Sequence, residues 1–558
     1  MSDNLLLSML WAVPLVGSVL VLFLPARNDL AVKATALAIT VLTFVLALVA
    51  FQSFLAAGSV GVDLPLSERA ERNTLTVDEV TGSIAVTDEP GDFVYRGAWI
   101  SYFNVQYFLG LDGISMSLVL LTGLISLLAC LASWGIDRAV KGYFSLFLLL
   151  LSSMLGVFLA LDLFLFFVFF EFMLLPMYFL IGIWGGERRE YAAIKFLLYT
   201  LFGSVFILVA ILILYFYAPE GGEALHSFDA LRLMASSGHF SGTIFGFGVQ
   251  SVVFALFLIG FLIKLPAVPF HTWLPDAHVQ APTPISMILA GVLLKVGGYG
   301  LIRLAWPLAP IGAYELSWTV AVLGVVGILY GALAAMAQTD FKRLVAYSSV
   351  SHMGYVTLGL AVMNLVDPRY YAYGVNGAMF MMVAHGITSA GMFFLVGVVY
   401  DRLHTRDLDR LGGLMDPMPV YGGVTMLIFF GSMGLPGLCG FVAEVFVVLS
   451  AFNYSYGLAV LAAAAVVLTA GYILWTIQRV LLGRNEAHRG LPDLSTRELV
   501  IAAPLVVLTV WLGIFPQTLL GWMSPSVDHM VATVAAANGI EPGEAAAIAV
   551  EPEFALPR

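Results

Sequence analysis

Apolar runs of about twenty residues, separated by short polar joints, fill almost the whole chain. At 1.5 Å per residue such a run crosses a hydrocarbon core of about 30 Å as a helix. The pattern predicts fourteen spans, near 4–24, 34–56, 114–135, 143–161, 163–184, 195–217, 248–270, 284–305, 316–337, 343–363, 375–400, 418–452, 457–478 and 498–523. The run 418–452 is too long for one straight helix, which would measure about 52 Å. It reads as one span broken midway at Pro436, because Gly434-Leu-Pro-Gly437 offers no polar turn at which to divide it. Lys264-Leu-Pro266 marks a second break. Proline removes a backbone hydrogen bond, and carbonyls freed at membrane depth are tolerated only inside protein or beside water. The first run follows no basic segment and is too long for a signal peptide, so it reads as a retained span.

The two broken spans are the seventh and the twelfth. An offset of five reverses direction across a bilayer, so spans four to eight and nine to thirteen can form an inverted repeat in which broken helices meet at the midplane. Ile263-Lys-Leu-Pro266 loosely matches Met433-Gly-Leu-Pro436, and Met177-Tyr178 loosely matches Gly354-Tyr355. The expected fold is an all-α polytopic membrane protein of about fourteen helices. Residues 1–142 hold spans one to three and an acidic outer loop, 57–104. Residues 143–305 and 316–478 hold the two five-helix repeats, and 498–558 the last span and an acidic outer tail.

Charge then orients these spans. Only 11% of residues are charged and 60% are hydrophobic, against about 25% charged in a soluble domain. Sixteen basic residues fall in one set of alternate joints, among them Arg27, Arg138, Lys342, Arg406 and Arg484, and seven in the other, including Arg69, Arg303 and Arg558. The positive-inside rule makes the richer side cytoplasmic, with both termini on the other. The loop 57–104, with Asp78, Glu79, Asp88, Glu89 and other acids, reads as solvated, with room for a hairpin. The Ala-rich acidic tail beyond about 524 reads as partly disordered. Two cysteines, Cys130 and Cys439, are too few for an iron–sulfur cluster, which usually takes four, and read as packing residues.

Lys264, Lys295, Glu171, Glu444 and His352 lie deep within apolar segments. A cation at the bilayer centre costs roughly 3 kcal/mol on insertion scales, so such residues are functional candidates by default. For Glu171, the bland role of a structural carboxylate stands beside that of a switchable partner for Lys264. Lys295 has about ten apolar or small residues on each side, which argues against snorkelling to an interface. His352, in Ser348-Ser-Val-Ser-His352, suits a proton relay, its rival being a packed neutral ring bonded to serine. His385, in Met381-Met-Val-Ala-His385, is similar. Glu444 follows the second break and has too short a stem to snorkel. His271 and His278 fit no zinc spacing and read as a hydrogen-bond cluster at the cytoplasmic end of span seven. Asp162, Asp340 and Asp401 read as interfacial, and Gly297-Gly-Tyr-Gly300 as close helix packing. Two charges about 8 Å apart interact by roughly 2 kcal/mol at an effective dielectric of 20, so a row of sites can pass a charge change sideways.

Lys264-Leu-Pro-Ala-Val-Pro-Phe-His-Thr-Trp-Leu-Pro-Asp-Ala-His278 and Ala281-Pro-Thr-Pro-Ile-Ser-Met-Ile-Leu-Ala-Gly-Val-Leu-Leu-Lys295 closely resemble the antiporter-like subunits of respiratory complex I. So do Phe341-Lys-Arg-Leu-Val-Ala-Tyr-Ser-Ser-Val-Ser-His352 and Leu435-Pro-Gly-Leu-Cys-Gly-Phe-Val-Ala-Glu444. The resemblance covers nearly the whole chain. Glu444 points to the M-type branch (the mitochondrial subunit 4 type), since L-type and N-type subunits resemble each other in having lysine there. The resemblance implies a fourteen-helix fold with an inverted repeat and a proton-translocating subunit of a complex I-type quinone oxidoreductase. It implies that Glu171 modulates Lys264, that Lys295 bridges toward His352, that His385 belongs to the path, and that Glu444 is the last site before release, with Pro266 and Pro436 opening the helices. It further implies no cofactor in this subunit, with quinone, FMN and iron–sulfur clusters elsewhere, and L-type and N-type subunits as neighbours. The rivals are a subunit of a multisubunit sodium/proton antiporter, the same module in a membrane-bound hydrogenase, and a scaffold whose charges form static pairs.

Overall fold

The computed structural model describes residues 3–25, 28–58, 63–72, 75–77, 84–86, 91–217 and 225–540. Arg27, Asp78, Glu79, Asp88, Glu89, Arg558 and the acidic tail from 541, all used in the charge reading, lie outside those residues. The described chain is helical nearly throughout, and eleven of its helices are long and apolar enough to cross a membrane. The three other expected spans are Phe341–Ala361, Val249–Lys264, and the pair Pro419–Met433 and Cys439–Tyr454. Thus all fourteen are present, and spans seven and twelve are interrupted where the prolines predict.

Alternate joints meet on two faces. On the arginine-rich face, Lys33 Nζ donates to Trp134 O at 2.9 Å, Arg406 Nη1 to Val279 O at 2.7 Å, and Arg402 pairs with Glu498 at 2.8 Å. These contacts tie together loops that the charge pattern put on one side. On the opposite face Arg96 pairs with Asp229 at 2.9 Å and Gln106 N–H donates to Asp162 at 2.9 Å. The loop between spans two and three does contain a hairpin there, Val94–Ile100 against antiparallel Val105–Gly110.

The inverted repeat is written in two matched backbone bridges. Asp162 faces Asp229, and Asp340 faces Asp407, both antiparallel. The first pair is held by Leu163 N–H to Phe228 O (2.7 Å) and Ala230 N–H to Leu161 O (3.0 Å). The second is held by Phe341 N–H to Arg406 O and Leu408 N–H to Thr339 O, each 2.8 Å. Asp162 and Asp340 each begin a span as its N-cap, accepting backbone N–H bonds from the first turn, which satisfies donors that a helix start otherwise orphans. One offset, 178 positions, relates both pairs. The bridges sit on opposite faces, as an odd number of intervening spans requires.

Two departures from the sequence reading have local causes. Span five is also interrupted, at Met173, between Leu163–Phe172 and Leu174–Trp184, because Pro176 cannot donate within the turn that would join them. The tail beyond 524 is ordered up to Ala537 in the helix Gln517–Ala537. Leu519, Leu520, Met523, Val527, Met530 and Val534 are buried along one stripe, an amphipathic pattern that Ser524-Pro-Ser526 and Asp528-His529 conceal from an apolar-run scan. Spans nine and ten are joined by a zipper of close approaches: a Cβ on Gly331 would stand 2.5 Å from Ser351 N, one on Gly354 2.6 Å from Ile328 N, and one on Gly324 2.7 Å from Leu358 N. Small residues let the two backbones touch at three levels.

Candidate functional site

Lys264 is the last residue of Val249–Lys264 and is 1% exposed. The helix stops there because Pro266 has no N–H to continue it, and the chain resumes at Trp273–Gln280. The break leaves carbonyls to satisfy, and the Trp273 indole folds back to donate to Ile263 O at 2.8 Å. Lys264 Nζ has no hydrogen-bond partner among the described residues. It lies 5.3 Å and 5.5 Å from the ring centroids of Phe170 and Phe196, so aromatic faces supply what attraction the cation finds. Glu171 stands one turn-end away from the interruption at Met173, half-buried, beside Ser204 and within electrostatic reach of Lys264. The two charges are neighbours without being hydrogen-bonded, so the expected pair is open.

Span eight is buried along its whole length and carries two widened π-turns, Leu289–Leu293 and Leu301–Ala305. Such turns recur at functional sites. Just past the first, Lys295 is fully buried and donates both to Ala290 O and to His385 Nδ1, the latter at 2.8 Å. The His385 and His352 rings lie 5.4 Å apart. His352 Nε2 donates to Ser432 O at 2.9 Å, since a carbonyl oxygen can only accept. His385 is therefore the direct partner of Lys295 and stands between it and His352. Sequence order concealed this, because span eleven packs between spans eight and ten.

Ser432 lies two residues before Gly434, where the first half of span twelve ends in the left-handed conformation, φ 79°. A side chain at Gly434 would occupy the space taken by the Glu444 carboxylate. Glu444 is 3% exposed, its Oε1 has no hydrogen-bond partner among the described residues, and Tyr355 and Tyr472 lie within its electrostatic reach. The histidine row thus ends at the break that holds Glu444.

One residue near this row was not singled out from sequence, and a second was expected in a different contact. Lys342, counted with the loops, is 4% exposed and donates to Ala281 O at 2.5 Å. His278 is fully buried, stacked on Phe393 at 4.2 Å between centroids, and within electrostatic reach of both Lys342 and Lys295. A linear charge count cannot see that the segment after the break tucks His278 inward beneath Lys342. The expected cluster of His271 with His278 is not formed. Neither ring has a hydrogen-bond partner among the described residues, and His271 lies instead against Tyr330, 4.9 Å between centroids. Nearby, Lys195 pairs with Asp276 at 2.7 Å.

The arrangement is a file of titratable groups threaded through a helical membrane fold, and known proteins share that fold. The family model described as NADH:quinone oxidoreductase/Mrp antiporter, TM, matches residues 160–469. NADH-quinone oxidoreductase subunit M of Rhodobacter capsulatus is 45% identical over 448 residues, covering 79% of this chain and 85% of that one. The subunit M of Rickettsia bellii is 41% identical over 442 residues, covering 79% and 86%. Among solved structures, a chain of respiratory complex I from Thermus thermophilus superposes with a TM-score of 0.78 at 28% identity, covering 95% of this chain and 99% of that one. A chain of the Mrp complex from Dietzia sp. shares the fold with a TM-score of 0.72 at 24% identity, covering 95% and 52%.

Proposed function

Since the chain belongs to the NADH:quinone oxidoreductase/Mrp antiporter membrane family, we propose that protons cross it along Glu171, Lys264, Lys295, His385, His352 and Glu444. The protein is an antiporter-like, proton-translocating subunit of M type, one membrane subunit of a complex I-type NADH-quinone oxidoreductase. The observation that carries the path is the contact of Lys295 with His385, continued by the His385–His352 approach and the His352–Ser432 bond.

On this reading Glu171, at the half-buried start of the row, biases the charge on Lys264 as conditions at its own side change. Taking a charge out of water favours its neutral form, and a neighbouring opposite charge reverses that preference. A step of roughly 2 kcal/mol between charges about 8 Å apart shifts a protonation equilibrium about thirtyfold. Lys264 thereby influences Lys295, with water completing what side chains leave open beside the break. Lys295 passes a proton to His385, His385 to His352, and the span-twelve break delivers it to Glu444. The quinone, flavin and iron–sulfur chemistry belongs to other subunits. The arginine-rich face is cytoplasmic and both termini periplasmic, in a bacterial inner membrane, with L-type and N-type subunits as the neighbours in the membrane arm.

The test uses the assembled complex in membranes. Glu171→Gln, Lys264→Ala and Glu444→Ala should each lower the protons moved per electron by several-fold. If all three leave that ratio unchanged in complexes that assemble normally, the path does not run through these residues. The reading as a sodium/proton antiporter subunit predicts sodium-dependent transport without quinone reduction; the 85% coverage of a subunit M relative favours the oxidoreductase.

A further inference from the structure

Span eight carries a second polar ladder, directed away from the histidine row. Lys295, Tyr299 and Arg303 follow at intervals of four, the spacing that stacks side chains on one helix face. Arg303 lies over the Tyr299 ring, 5.6 Å from its centroid, and pairs with Asp112 at 2.5 Å. Their side chains are only 10% and 5% exposed. Asp112 also caps span three, accepting from Ser115 N–H at 3.0 Å. Over the pair, at the face opposite the arginine-rich loops, lies a cavity of about 180 Å³ lined by Ser67, Asp112, Arg303, Ser526, His529 and Thr533 among others. At about 30 Å³ per water it holds several. Its roof is the helix Gln517–Ala537, pinned by Gly113 N–H to Ser526 Oγ (2.9 Å) and His529 to Asp63 O (2.6 Å). Arg303 Nε has no hydrogen-bond partner among the described residues.

We propose that this cavity is a water vestibule and that Asp112, latched by Arg303, is the proton acceptor joining Lys295 to that face. The inference rests on the proton-path reading and adds to it a second outlet, within the first repeat. At rest Lys295 is turned toward Ala290 and His385, and the Tyr299 hydroxyl donates to Phe158 O at 3.0 Å. In transfer, the Tyr299 oxygen takes a proton from the Lys295 ammonium and the hydroxyl hands its own to an Asp112 oxygen, leaving tyrosine neutral and lysine uncharged. Protonated Asp112 no longer balances Arg303, and Arg69, which faces the pair with Asp92 at its side, repels the guanidinium toward the vestibule. Asp112 then releases the proton to water and the latch closes. Burial pushes the Asp112 carboxyl up, but Arg303, the Ser115 N–H and Arg69 together hold it below the ordinary carboxylate range, so the resting carboxylate is ionised and the latch shut.

Two measurements decide this. Ser67→Cys in the assembled complex should react with a membrane-impermeant thiol reagent added at the face opposite the arginine-rich loops. The native Cys130 and Cys439 are buried and leave a low background. Absence of labelling overturns the vestibule. Asp112→Asn, which keeps an oxygen for the cap, should lower the protons moved per electron about twofold in complexes that assemble normally; a purely structural loss lowers the amount of assembled complex and leaves that ratio unchanged. An unchanged ratio overturns the outlet, and should Asp112→Asn fail to assemble, Arg303→Lys carries the same comparison. If Lys264→Ala lowers the ratio and Asp112→Asn does not, only the outlet fails; if neither does, the path itself is wrong.

Discussion

Lys264 is held by ring faces and by nothing that hydrogen-bonds to it among the described residues, so the fold keeps it at a cost. Lys264→Met preserves the stem and removes the polar head, which relieves about 1–3 kcal/mol of unmatched burial. The variant complex should melt at a higher temperature than the parent while moving fewer protons per electron; a lower melting temperature would mean that the lysine is a structural tie. Gly434 makes a complementary case. Its φ of 79° is one that an L-residue adopts only at a cost of roughly 1–2 kcal/mol, and the space a side chain needs there belongs to Glu444. Gly434→Ala should therefore reproduce the pumping defect of Glu444→Ala, read as protons per electron, although no titratable group is touched. At this scale the sequence was informative wherever a polar residue interrupts an apolar run, as with Lys264, Lys295 and Glu444. It was silent on Lys342 and gave His278 the wrong neighbour, because burial at the end of a span depends on how the segment after a break folds back.

The interruptions of spans seven and twelve were readable because proline and glycine have fixed backbone consequences. What repairs them was not readable. Trp273, nine positions beyond Lys264, returns its indole N–H to Ile263 O, a contact created by the break itself. Trp273→Phe leaves that carbonyl unpaired at depth and should cost about 1–3 kcal/mol, seen as a lower melting temperature of the solubilised complex; no change would mean that water already serves the carbonyl. The helix Gln517–Ala537 was missed for the opposite reason. Its stripe is interrupted by Ser524, Pro525 and Ser526 and by Asp528 and His529, and these polar positions have specific partners: Ser526 receives the Gly113 N–H and Ser524 bonds Asn376 at 2.9 Å.

Across the whole molecule, the repeat expected from two breaks is matched by two bridges at one offset. The bridges also fix its register. Asp162 with Asp340 and Asp229 with Asp407 share one offset of 178, whereas the Met177-Tyr178 and Gly354-Tyr355 match is one residue short of it, a difference that falls across the interruption at Met173. The route from Glu171 to the span-twelve outlet is a series and predicts a particular arithmetic. The double variant Glu171→Gln with Glu444→Gln should pump no worse than the more damaged single variant, since steps in series share one bottleneck; losses that multiply in protons per electron would mean that Glu171 does not lie upstream of Glu444. The zipper between spans nine and ten adds a mechanical consequence. With Gly331 against Ser351, Gly354 against Ile328 and Gly324 against Leu358, the helix that carries His352 rests backbone to backbone on span nine at three levels. Any side chain larger than hydrogen at those glycines would wedge the two helices apart and displace His352 from the row without touching a titratable group.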